Sequence, residues 1–174
     1  MKRFIAIVLS ALMLCSFCIF ASADAGSAIK VSTGKYITVT ESGDVLTVSG
    51  VTVAEILGSN AYKYKVIDYT GREVSVYSYA ATGMKIIAED FYGDVLETKA
   101  ISVLGDINGD GRVTAADSRR VLRASVELEK LNPWQTTAAD VICDKEADAG
   151  DARIILRASV ELENILKIFD TNNK

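Results

Sequence analysis

The sequence predicts an α+β protein in two parts: a small, mostly antiparallel, β-rich domain over residues 25–104 and an all-α, loop-and-helix module over 105–166. Three observations predict it. Short β-branched segments separated by Gly- and Asp-containing turns fill the first part. Acidic loops that run into helical patterns fill the second. Finally, Leu-Arg-Ala-Ser-Val-Glu-Leu-Glu at 122–129 recurs letter for letter at 156–163, and Asp117 and Arg119 recur as Asp151 and Arg153, all at an offset of 34 residues. An identity of that length at one offset marks a duplication. Tetratricopeptide repeats share the period but need two helices per unit, and residues 106–117 are too rich in Gly, Asp and Asn to form one.

Ahead of both parts, residues 1–23 read as a signal peptide. Lys2 and Arg3 open it, an apolar run over 4–20 follows, and Ala21-Ser22-Ala23 supplies the small-residue cleavage pattern. The run is marginal for a bilayer, which takes about 20 residues, so a membrane anchor is the weaker reading. Leu14 and Phe17 before Cys15 and Cys18 do not fit a lipoprotein signal. The chain is therefore expected to be exported and to keep no membrane segment after cleavage.

The elements of the first part follow in order. Strands are predicted at 28–31, 36–40 and 45–48, the last two joined by the turn Ser42-Gly43-Asp44. Thr52 and Glu55 form a capping box that opens a short helix ending at Gly58. Further strands are predicted at 62–67, 73–79, 84–89 and 95–103, with turns at 68–71 and 91–94. In the second part, helices are predicted after each acidic loop, with a linker containing Pro133 and Trp134 between them and a polar tail over 167–174.

Composition narrows the function. After cleavage at Ala23, 17 basic and 23 acidic residues leave a balance of −6, which gives no electrostatic basis for binding nucleic acid. There is no histidine, so Ser-His-Asp and Cys-His catalysis and imidazole zinc sites are excluded. Cys143 is the one thiol outside the signal, so no internal disulfide can form in the exported chain. A small exported protein then needs another stabiliser, and metal is the natural one.

The metal reading rests on residues 106–117. Asp106, Asn108 and Asp110 stand at positions one, three and five of a twelve-residue loop, with Gly111 at six and Asp117 at twelve. This is the oxygen-ligand pattern of a calcium loop, and Arg112 at position seven adds its backbone carbonyl. Calcium is a hard cation that takes six to eight oxygens, which alternate side chains of a tight loop can supply.

Asp rather than Glu at position twelve, one helix after each loop, and the duplication together resemble the type I dockerin family. Gly-Asp-Ile-Asn-Gly-Asp-Gly-Arg-Val-Thr-Ala-Ala-Asp at 105–117, followed by Val-Leu-Arg at 121–123, carries the resemblance, which spans 105–166. It implies a module of paired F-hands, EF-hand-like, around two calcium ions. It also implies attachment to a cohesin domain on a scaffoldin, as in cellulosomes.

The second loop departs from the pattern. Asp140, Asp144 and Asp151 fall at positions one, five and twelve, Glu146 offers its carbonyl at seven, and Asp148 stands at nine as a compensating carboxylate. Ile142 replaces the ligand at three and Lys145 the glycine at six, with its ammonium expected to oppose a cation. Weaker calcium binding is expected there.

By the same resemblance the partner-binding positions are Ala115, Ala116, Leu122 and Arg123 in the first repeat, and Ala149, Gly150, Leu156 and Arg157 in the second. The symmetry implies that either helix docks. Core packing competes for Leu122 and Leu156, with Val121 and Ile155 one position earlier as rivals. All seven tyrosines, at 36, 62, 64, 69, 77, 79 and 92, lie in the first part. Strand preference explains them, and stacking on sugar rings is the alternative. With no catalytic signature, a non-enzymatic docking component is the expectation, and a carbohydrate-binding or adhesion module tethered by the docking unit is the competing one.

Overall fold

A computed structural model gives the structure, and residues 27–172 are described; residues 1–23, predicted as a signal peptide, lie outside them. The first part folds around a five-stranded sheet of order β1-β2-β5-β4-β3, made of β1 (Ile37–Val39), β2 (Val45–Thr47), β3 (Lys65–Ile67), β4 (Lys85–Glu89) and β5 (Val95–Val103). Two hairpins form where turn chemistry predicts them. Gly43 and Gly93 adopt φ of 87° and 88°, and the flanking Thr40–Asp44 and Asp90–Asp94 amide–carbonyl bonds close both turns.

The sheet is mostly antiparallel, as expected, but mixed: β1 with β2, β3 with β4 and β4 with β5 pair antiparallel, while β2 pairs in parallel with β5, Val45 facing Ile101 and Thr47 facing Val103. A parallel pair needs a crossover connection. Here helix α1 (Val53–Leu57), a 3₁₀ helix (Gly58–Lys63), β3 and β4 all lie between the two strands.

Three predicted strands change form. Residues 28–31 make no strand, although Ile29 is fully buried and its amide donates to Glu97. The 3₁₀ helix takes the start of 62–67. Residues 73–79 form only isolated bridges, because their carbonyls serve another purpose: Ser78 and Val76 accept from the Val53 and Ala54 amides, donors a helix cannot satisfy internally. The Thr52–Glu55 capping box forms as the sequence predicts.

The second part holds α2 (Ala115–Ser125), α3 (Pro133–Ala139), α4 (Ala149–Ser159) and α5 (Ile165–Asn172). Helix α3 occupies the expected linker. Pro133 sits in its first turn, and the Gln135 side chain accepts from the Asn132 amide. Helix α5 occupies much of the expected tail. Helices α2 and α4 pack together, and the buried Ser118 hydroxyl donates to the Ala152 carbonyl at 2.6 Å.

One hydrophobic core runs through both parts. Ile56, Ile86 and Ile101 of the first are continuous with Ile107, Val121 and Ile155 of the second. Polar bonds reinforce the junction: Gly105 N donates to Ala138 O, and Ser102 Oγ to Trp134 O. Trp134 lies against Gly83 with the Lys85 ammonium over its ring.

Candidate metal centre and docking face

The two acidic loops share one backbone. Asp110 N and Gly111 N donate to the Asp106 carboxylate at 3.1 and 3.0 Å, and Asp144 N and Lys145 N repeat this on Asp140 at 3.1 and 2.9 Å. At the other end, Asp117 Oδ1 accepts from Ile107 N and Asn108 N, as Asp151 Oδ1 does from Val141 N and Ile142 N. Amides at position seven also match: Arg112 N donates to Asp110 and Glu146 N to Asp144. The register with Asp140 at position one is therefore the geometric equivalent of the first loop.

Positive φ recurs as well. Gly109 and Gly111, at 79° and 78°, correspond to Cys143 and Lys145, at 63° and 74°. A left-handed conformation costs a side-chain-bearing residue about 1–2 kcal/mol, so the second loop keeps its shape under strain. The Lys145 ammonium, expected to oppose a cation, has a carboxylate partner outside the loop. It lies 3.6 Å from Glu41, both side chains being largely exposed.

Each loop runs into its helix through a cap. Thr114 and Asp148 are the N-caps of α2 and α4, and Asp117 and Asp151 reach back to their amides. Asp148, the carboxylate expected to compensate in the second loop, stands at this cap, where its Oδ1 accepts from Gly150 N at 2.6 Å. Asp140, Asp144 and Asp151 each bring an oxygen to within 4.8 Å of the others, a spacing that fits one cation. This three-carboxylate convergence falls in the loop that the sequence marks as degraded. In the first loop Asn108 holds position three with an amide, whose nitrogen donates to Asp110 Oδ2 at 2.9 Å.

The family model for the dockerin type I domain matches residues 104–158. The C-terminal part of the chain is a type I dockerin domain. No curated protein and no solved structure matches the chain. A dockerin domain implies docking on a cohesin in a cellulosome-like assembly, and dockerins in general bind calcium.

The dockerin's donors fit calcium chemically. The cluster is made of carboxylate oxygens, the ligands a hard cation takes. In the first loop Asp106 and Asp117 are both fully buried. Burial pushes the Asp106 carboxyl above its ordinary range, against the pull of amide bonds from Thr82, Gly111 and Gly109, and Asp117 adds repulsion. Burial likewise raises Asp151, with Asp140 adding repulsion. Like carboxylates held this close, both buried at Asp106 and Asp117, favour a bound cation. Arg112 and Glu146 keep their side chains exposed, which leaves their carbonyls as the groups to offer.

The two dockerin helices resolve the competition for the core. Val121 and Ile155 are 0% exposed, whereas Leu122 and Leu156 are 50% and 47% exposed. Ala115, Ala116, Arg123, Ala149 and Arg157 are exposed too, and Gly150 is half-buried. Arg123 and Arg157 each bond a glutamate beyond their own helix, Glu129 and Glu163, and the carbonyls of Leu128 and Leu162. Sequence reasoning missed part of this face. Val126, Leu128, Val160 and Leu162 are also exposed apolar residues at matched positions. Their signal lay inside the repeated octapeptide, where apolar residues recur without a helix to bury them.

In the first part, none of the seven tyrosines lies within a strand, so strand preference does not account for them. Tyr62, Tyr69, Tyr77, Tyr79 and Tyr92 are exposed, as is Phe91, which packs edge-on against Tyr92. No described helix is long and apolar enough to cross a membrane.

Proposed function

We propose that this protein is an exported, non-catalytic component that attaches through its dockerin, folded as paired F-hands, to a cohesin domain of a scaffoldin in a polysaccharide-degrading assembly. The observation that carries the reading is the match between the two repeats: the same loop hydrogen bonds, the same caps and the same exposed leucines, 34 residues apart. Each loop is proposed to hold one calcium ion. The first would use Asp106, Asn108, Asp110, Asp117 and the Arg112 carbonyl; the second would use Asp140, Asp144, Asp151 and the Glu146 carbonyl.

Asp106 and Asp117 in the first loop, and Asp140 and Asp151 in the second, would hold the ion, whose charge would offset theirs. Asp117 and Asp151 join the loop amides to the helix N-termini, so the loops set the direction of α2 and α4. Those helices in turn hold Leu122 and Leu156 outward while Val121 and Ile155 anchor them to the core. Pull-down of the protein with cohesins in calcium and in chelator tests this. Calcium-dependent capture is expected, and no capture in calcium by a panel of cohesins would sink the proposal.

A second reading is favoured by the exposed aromatic residues of the first part, which would stack on sugar rings while the dockerin serves as tether. Retention of the whole protein on insoluble polysaccharide, lost on Tyr62→Ala and Tyr77→Ala substitution, would support it over docking alone.

A further inference from the structure

The two calcium loops serve as controls for each other. Positions four and six carry Gly109 and Gly111 in the first loop but Cys143 and Lys145 in the second, with the same left-handed backbone. Conformation alone therefore does not demand glycine. What differs is the neighbour. A Cβ on Gly109 would stand 2.7 Å from the Thr82 carbonyl oxygen, and one on Gly111 would stand 3.3 Å from the Ala80 carbonyl oxygen. Cys143 and Lys145, by contrast, are exposed. The glycines of the first loop let a segment of the sheet domain lie directly on it.

That segment also reaches the first ligand. Thr82 N donates to Asp106 Oδ2 at 3.0 Å, a bond buried from solvent. Thr82 is itself fixed to the end of β5, where its hydroxyl accepts from Val103 N at 2.9 Å and donates to Val103 O. On either side, Ala80 N bonds Val51 O and Gly83 N bonds Ile101 O. Asp106 is fully buried under this cover, whereas its counterpart Asp140 is half-exposed.

We infer that residues 80–83 buttress the first calcium loop, with Thr82 as a positioning residue for Asp106, so that the sheet domain is an intramolecular partner of the dockerin and is coupled to calcium at the first loop far more than at the second, which meets it through the exposed Lys145–Glu41 pair. This rests on the calcium reading of the first loop. The coupling is reciprocal: whatever calcium gains from an ordered Thr82, the segment around Thr82 gains from calcium.

Amide hydrogen exchange on the full-length protein, in calcium and in chelator, tests it. Exchange at 80–83 is expected to slow roughly tenfold with calcium, in step with the amides of 107–111. Gly109→Ala should weaken calorimetric calcium binding at the first loop by about tenfold and abolish the response at 80–83. Cys143→Ala, at the matched position of the second loop where a Cβ is already accommodated, should alter neither. Calcium uptake with protection at 107–111 but none gained at 80–83 overturns the inference and leaves the calcium reading standing. No response in either segment and no heat of binding overturns both. The exchange measurement on the unaltered protein decides the matter even where Gly109→Ala fails to fold.

Discussion

At residue 145 the chain accepts a cost that its own repeat avoids. Lys145 holds φ at 74° where the first repeat has Gly111 at 78°. Its side chain gains an exposed contact with Glu41, and such surface pairs contribute about 0–1 kcal/mol. Lys145→Gly should therefore stabilise the chelated protein by up to about 1 kcal/mol, strain relief offset in part by the glycine's greater freedom when unfolded. Urea unfolding in chelator measures this, and a destabilised variant would show that the Glu41 contact outweighs the strain. The residue scale also shows where sequence reading stops. Lys145 in a glycine position was legible as a departure, and so was its charge. The direction its ammonium takes was not, because Glu41 is distant in sequence and only the fold brings it near.

At the scale of elements, the parts with strong local chemistry were the legible ones. The capping box at Thr52 and Glu55, the turns at Gly43 and Gly93, and all of β5 follow from neighbours in the chain. Residues 73–79 look like a strand by the same rules, yet their carbonyls are drawn to the free amides of α1, a long-range demand that no local pattern records. Helices α2 and α4 were legible as helices, but which apolar residue faced inward was left open until packing placed Val121 and Ile155 in the core. That outcome leaves Leu122 and Leu156 similarly exposed, and we propose them as equivalent anchors for a partner. With two equivalent docking modes, Leu122→Asp or Leu156→Asp alone should weaken cohesin binding only about twofold, by removing one mode of two. The double variant should weaken it at least a hundredfold, since burying a charge in an apolar contact costs several kcal/mol. Titration of both singles and the double against one cohesin checks this. A single substitution as damaging as the pair would show that one helix alone docks.

At the scale of the whole molecule, the boundary near residue 104 is visible in composition but not in packing. The sheet domain and the dockerin share a core, the Gly105 amide is held by Ala138, and Thr82, in the turn before β4, donates to Asp106. A boundary crossed by buried apolar contacts and buried hydrogen bonds does not behave as a linker, because separating the halves would expose both kinds of group at once. Unfolding in calcium should then be a single cooperative transition. The residues themselves supply the probes: all seven tyrosines are in the sheet domain, while α2 and α4, the two longest helices among the described residues, are in the dockerin. With Trp134, the dockerin's own near-ultraviolet chromophore, replaced by Phe, near-ultraviolet circular dichroism follows the first, and the far-ultraviolet helical signal is weighted to the second. The two melting curves should coincide within error in calcium. Curves that separate, with the helical signal lost first, would mean that the shared core does not couple the two parts and that the sheet domain stands alone as a passenger.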